Sequence, residues 1–102
     1  MIIYNVTVNI EDEIHHEWVE WMQNTHIPDV MKTGFFNEYR FCKVMADDPQ
    51  GQTYSIQYLC NNLTDYDRYQ KTEAPRLQAD HQAKFGGKFI AFRTILKMVS
   101  NG

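Results

Sequence analysis

The stretch GFFNEYRFCKVMADDPQGQTYSIQYLCN, Gly34 to Asn61, decides how the rest of the chain is read. It has the form of a β-hairpin, with one strand from Phe35 to Val44 and its partner from Thr53 to Cys60. Between them Ala46-Asp47-Asp48-Pro49-Gln50-Gly51 is turn chemistry, an Asx or type I turn at Asp47-Asp48-Pro49 with Gly51 behind it. The second strand alternates Tyr54, Ile56, Tyr58 and Cys60 against Thr53, Ser55, Gln57 and Leu59, a dry aromatic face and a mostly polar one. The first strand is mixed on both faces. Its Glu38 and Arg40 are same-face neighbours that can pair with each other or with a second subunit.

Upstream, Ile2 to Ile10 alternates apolar even positions with Ile3, Asn5, Thr7 and Asn9. That is the period of a strand with one dry face. Asn5 and Asn9 then form either a solvated sheet face or a polar patch between subunits. A helix is expected from near Asp12, which can cap it, with Ile14, Trp18, Trp21, Met22 and Thr25 as the buried stripe. His15 and His16 are adjacent, so they do not face one site and read as solvated helix surface. Pro28 either kinks one long helix or starts a new short one, and Gly34 ends it. His26 stands at that bend. There it can enter a cleft between helix and sheet, or hydrogen-bond a carbonyl that Pro28 leaves free.

Downstream, Thr64-Asp65-Tyr66-Asp67 resembles a capping box that opens a second helix. Pro75 interrupts the run, and Leu77, His81 and Phe85 resume it at intervals of four, which puts His81 on the apolar stripe. Gly86-Gly87 turns the chain into a last strand, Lys88 to Val99. The order β-α-β-β-α-β is the ferredoxin-like plan. The expected architecture is α+β, one domain over 1–102, with a four-stranded antiparallel sheet carrying two helices on one face.

Composition narrows the function classes. With 13 acidic and 10 basic residues the formal charge is -3, and no Lys/Arg stripe suits a phosphate backbone, so nucleic acid is not an expected partner. Asn5, Asn9, Glu11 and Asp12 break the early apolar run, which argues against a signal sequence. No stretch approaches the roughly 18 apolar residues of a membrane span. Cys42 and Cys60 are too few for a zinc site or a secreted disulfide framework, and both are expected to be buried, unreactive strand thiols. The expected setting is cytoplasmic, with no metal and no cofactor. Phosphate loops, His-Glu-x-x-His and nucleophile-elbow motifs are absent. Two Trp, six Tyr and six Phe exceed what one small core needs, so a pocket or a partner subunit is expected to take the surplus.

The opening Met1 to Asn9, Trp18 to Met22, His26-Ile27-Pro28 and Thr33-Gly34-Phe35 together resemble a family of short proteins known mainly from Bacteroidetes, domain of unknown function 4286. The resemblance covers nearly the whole chain. It implies a ferredoxin-like, dimeric α+β barrel and carries no reaction. Trp21 to Pro28 is also similar to the first-helix region of small dimeric barrel enzymes, which include cofactor-free monooxygenases and isomerases; by that likeness His26 lies near a cleft.

Three functions follow. The first is a homodimeric small-molecule-binding or regulatory protein, its ligand an apolar molecule with a polar group held by Tyr4, Trp21, His26, Tyr58 and His81. The second is a cofactor-free oxygenase or isomerase using His26 as acid/base, with His81 as a further catalytic candidate. The third is a structural or interaction domain without a pocket.

Overall fold

A computed structural model of the chain describes residues 1–46 and 50–102. The turn expected at Asp47-Asp48-Pro49 lies outside the described residues. Four strands, β1 (Ile2–Ile10), β2 (Glu38–Lys43), β3 (Gln52–Cys60) and β4 (Phe89–Lys97), form one antiparallel sheet in the order β2-β3-β1-β4. The hairpin reading holds, with β2 shorter than expected. Phe35 and Phe36 precede the strand, and Phe36 packs into the core against Tyr4, Tyr58 and Tyr69. Gly51 follows the hairpin turn at φ 75°, where a Cβ would stand 2.6 Å from Asn9 Oδ1 and 2.8 Å from the Ile10 carbonyl. Only glycine fits both the left-handed backbone and that space.

β1 pairs with β3 on one side (Tyr4 opposite Tyr58) and with β4 on the other (Val6 opposite Arg93). The even positions of β1 therefore share the helix-covered face with Ile56 and Tyr58, and most of them are buried. The opposite face carries a side-chain ladder. Ser55 donates to Asn5 Oδ1 at 2.6 Å, and Asn9 Nδ2 donates to Thr53 Oγ1 at 3.0 Å. Along the β4 border of that face Ile90 and Phe92 are 73% and 60% exposed.

Two expectations about this architecture are overturned. The sheet is open: β2 and β4 are its two edges, they do not pair, and no α+β barrel closes. The helical layer is also more divided than two helices. Among the described residues it comprises α1 (His15–Trp21), a π-helical turn at Met22–His26, α2 (Ile27–Lys32), α3 (Leu63–Thr72) and α4 (Ala74–Phe85). Pro28 sits in the first turn of α2 and Pro75 in the first turn of α4, where a missing N–H costs nothing.

Smaller corrections follow from the same packing. Asp12 does not cap; its carboxylate accepts from Gly51 N and Gln52 Nε2, tying the start of the helical layer to the hairpin. The second helical run starts two residues early, because Asn62 caps it by accepting from Asp65 N at 2.8 Å. Thr25 is exposed because the π-helical turn advances the buried face to Ile27. His15 is partly buried and shares a 2.6 Å hydrogen bond with Tyr54. Cys60 is buried, but Cys42 is exposed; both are free thiols.

Candidate functional site

The helical layer and the sheet meet around two imidazoles. α4 presents Leu77, His81 and Phe85 on one stripe, all buried, with His81 only 6% exposed. Trp18, fully buried on α1, donates its indole N–H to His81 Nε2 at 2.9 Å. An indole N–H can only donate, so Nε2 must be the unprotonated nitrogen and the proton of His81 resides on Nδ1. Burial first, then the neighbouring His26 and Arg93, lowers the His81 pKa to about 4. The hydrogen bond and the desolvation thus select the same neutral ring.

His26 reaches this place through the π-helical turn. In an α-helix, residues five apart diverge; a π-helical turn closes i to i+5 and brings them onto one side. Trp21 and His26 are five apart and stack, with centroids 5.0 Å apart and planes at 27°. Trp21 also stacks on His81 at 5.7 Å and 12°, and the two imidazole centroids are 5.6 Å apart, so the three rings form a triangle of mutual contacts. Burial lowers the His26 pKa to about 4, with Asp29 and Asp80 opposing and Arg93 adding to the effect. Among the described residues His26 has no side-chain hydrogen bond, so the expected tie to a carbonyl freed by Pro28 is not formed.

Beneath the rings is a small, partly open space of about 30 Å³, walled by residues that include Tyr4, Met22, His26, Tyr58, His81 and Arg93. It is room for a water molecule or a single functional group, not for a whole ligand. It shares Gln78, His81 and Arg93 with a groove of about 500 Å³ between α4 and β4, which Phe89, Ala91 and Gln82 also line. That size lies within the usual range for small-ligand sites. Tyr58 is buried with its phenol pKa raised by desolvation, so it is a neutral hydroxyl here. Arg93 donates from Nε to the Tyr4 hydroxyl at 3.1 Å.

Of the residues singled out from sequence, Tyr4, His26, Tyr58 and His81 line one small space, and Trp21 does not line it but stacks on both histidines. Sequence reasoning missed Trp18 as the donor to His81, and it missed Arg93 and Gln78. The signal for Arg93 was present: it interrupts an inward row of Phe89, Ala91 and Ile95. Among the described residues no group of three or more His, Cys, Asp or Glu could hold a metal ion, and no helix is long and apolar enough to cross a membrane.

The sequence model of one family, described as Domain of unknown function (DUF4286), matches residues 1–99. No curated protein matches. Solved structures share the fold at low identity. One is an ethyl tert-butyl ether d (ethd) family protein from Bacillus halodurans, at 15% identity and TM-score 0.69, covering 97% of this chain and 100% of that one. A dimeric ferredoxin-like protein from an uncultured marine organism shows 10% identity and TM-score 0.70, covering 100% of this chain and 98% of that one. SnoaB, a cofactor-independent oxygenase from Streptomyces nogalater, shows 7% identity and TM-score 0.67, covering 98% and 95%.

Proposed function

The chain belongs to the DUF4286 family, and from the geometry of its cleft we propose that it binds one small, mostly apolar molecule, whose polar group sits against His26. The observation that carries this reading is the His26 ring. It lines the small space beneath the rings, is held neutral, and has no side-chain hydrogen bond among the described residues. A neutral imidazole offers one N–H donor and one free nitrogen, so a ligand group that accepts from the one or donates to the other gains a bond where burial already limits competing water. The groove between α4 and β4 supplies apolar surface from Ala79, Phe89 and Ala91 among the polar Gln78, Gln82 and Arg93. His81 is less available as an acceptor, because Trp18 already occupies its Nε2.

A second reading, proton abstraction by His26, draws on the same free nitrogen. The imidazole is unprotonated at neutral pH, as a base must be, but a pKa near 4 makes it a weak one. The likeness to a cofactor-independent oxygenase is a likeness of fold, which does not transfer a reaction. Binding therefore leads.

The test is a titration with 2-naphthol, which joins a two-ring apolar body to one hydroxyl donor, followed by NMR of the histidine rings. His26 and His81 resonances should shift together. His26→Gln, which keeps an acceptor, should retain most of the affinity, whereas His26→Phe should lose about five- to tenfold, the worth of one hydrogen bond. Histidine resonances that stay fixed up to millimolar naphthol would sink the reading.

Assembly belongs to the same proposal. The open sheet face, with Ile90 and Phe92 exposed beside the Asn5–Ser55 ladder, suits face-to-face stacking with a second copy. A solved relative in fold is described as dimeric. The two free thiols suit a reducing compartment, and we place the protein in the cytoplasm on that ground.

A further inference from the structure

We propose that the ligand's polar group is a carboxylate and that Arg93 is the residue that selects it, an inference that rests on the cleft-binding reading above. Arg93 occupies the helix-facing row of β4, opposite Val6 of β1, in a row otherwise mostly apolar. One of its five N–H groups is engaged, Nε with the Tyr4 hydroxyl. Among the described residues no carboxylate lies within ion-pair distance of it, whereas Arg40 and Arg76 pair with Glu38 and Glu73. Among the described residues no Asp or Glu lines the small space or the groove. In a chain of formal charge -3, the cleft wall therefore carries a cation and no anion.

The surroundings sharpen the selection. Both imidazoles are neutral, so neither adds a positive charge that would hold the ligand in place of Arg93. The charge of Arg93 reaches both of them and also opposes the effect of burial on the Tyr66 and Tyr69 phenols, while Asp29 and Asp80 act on His26 from outside the lining. A guanidinium and a carboxylate match in shape and pair through two parallel hydrogen bonds. One guanidinium answers a single negative charge, whereas a phosphate dianion calls for a second cation, which the walls do not provide. Tyr4, by accepting from Nε, fixes the plane of the fork before the ligand arrives.

The experiment compares 2-naphthoate with 2-naphthamide, which are alike in size and differ in charge, by calorimetric titration of the full chain. The acid should bind about tenfold more tightly than the amide, as a charge-assisted pair exceeds a neutral one. Arg93→Gln should abolish that advantage, so that acid and amide bind alike. Arg93 is exposed on an edge strand, so this variant should fold. Ala91→Trp, which fills the groove, should weaken both probes. Equal binding of acid and amide by the unaltered protein would overturn the choice of a carboxylate and leave cleft binding standing. An acid preference that survives Arg93→Gln or the groove block would overturn the role of Arg93. Absence of binding by both probes would overturn this proposal together with the reading it rests on.

Discussion

His81 shows how a single side chain can be legible in a sequence while its partner is not. Its spacing from Leu77 and Phe85 predicts an inward ring, and the ring is inward. Trp18 is equally predictable as a core residue, but an apolar pattern does not show that its N–H points at an imidazole 63 positions away. Arg93 was passed over because strand alternation records polarity, not the company a charge keeps in space. Asn62 and Thr64 are both good capping residues, and the earlier one caps because β3 ends at Cys60 and leaves it first in line. The neutral histidines also make stability depend on pH. Their folded pKa values lie below the unfolded value, so the unfolded chain binds more protons between the two. The stabilisation is complete above the unfolded pKa of 6.5 and is lost as pH falls toward about 4. Between pH 7 and pH 5, where most carboxylates remain ionised, His81 alone should account for about 2 kcal/mol of lost stability. Urea unfolding of the parent and of His81→Gln at the two pH values checks this. An equal pH response in both would show that His81 does not titrate as described.

At the scale of elements, the π-helical turn at Met22–His26 explains why the first helix defeated a simple 3.6-residue reading. A stripe through Ile14, Trp18, Trp21 and Met22 extrapolates to Thr25, yet the buried residues beyond Met22 are Ile27 and Val30. The turn holds one residue more than an α-helix needs to keep the same face inward. Removing that residue converts i, i+5 neighbours into i, i+4 neighbours, which still share a side. Deletion of the exposed Asn24 should therefore leave the protein folded, at a cost of about 1–2 kcal/mol. Deletion of the exposed Glu20, within regular α1, should cost far more, because it turns Trp18 about 100° out of phase with everything that follows. Thermal melts of the two deletions provide the comparison. Equal losses would mean that the turn is not a single-residue insertion in effect. The hairpin, by contrast, was readable from local chemistry, since alternation and Gly51 are properties of neighbouring residues. Phe35 and Phe36 escaped because an aromatic entering the core from a loop has the composition of a strand.

Across the whole molecule, the connectivity could be read and the closure could not. Element order follows from periodicity, whereas whether β2 and β4 meet depends on twist summed over the sheet, which no local pattern carries. Both edges remain open, and the face away from the helices leaves Ile90, Phe92 and Leu96 in solvent beside polar residues. If that face stacks on a second copy, light scattering should return twice the chain mass of 12.1 kDa. Phe92→Glu should then halve the particle, and it should cost the isolated chain little, since Phe92 is already 60% exposed. A single-chain mass for the unaltered protein at micromolar concentration would end the dimer proposal. Cys42, on the same face, should react rapidly with thiol reagents in the Phe92→Glu protein and slowly in the parent.

The contact of Trp21 with two imidazoles has an optical consequence. Indole emission is quenched by a nearby protonated imidazole, which accepts an electron from the excited ring more readily than the neutral form does. Both tryptophans are in ring contact with His81, and Trp21 also stacks on His26. The chain has no other tryptophan. Its whole tryptophan emission therefore arises next to the candidate site, and brightness should fall as either imidazole gains a proton. No label is needed to follow the state of the cleft, because the residues that build its wall also emit.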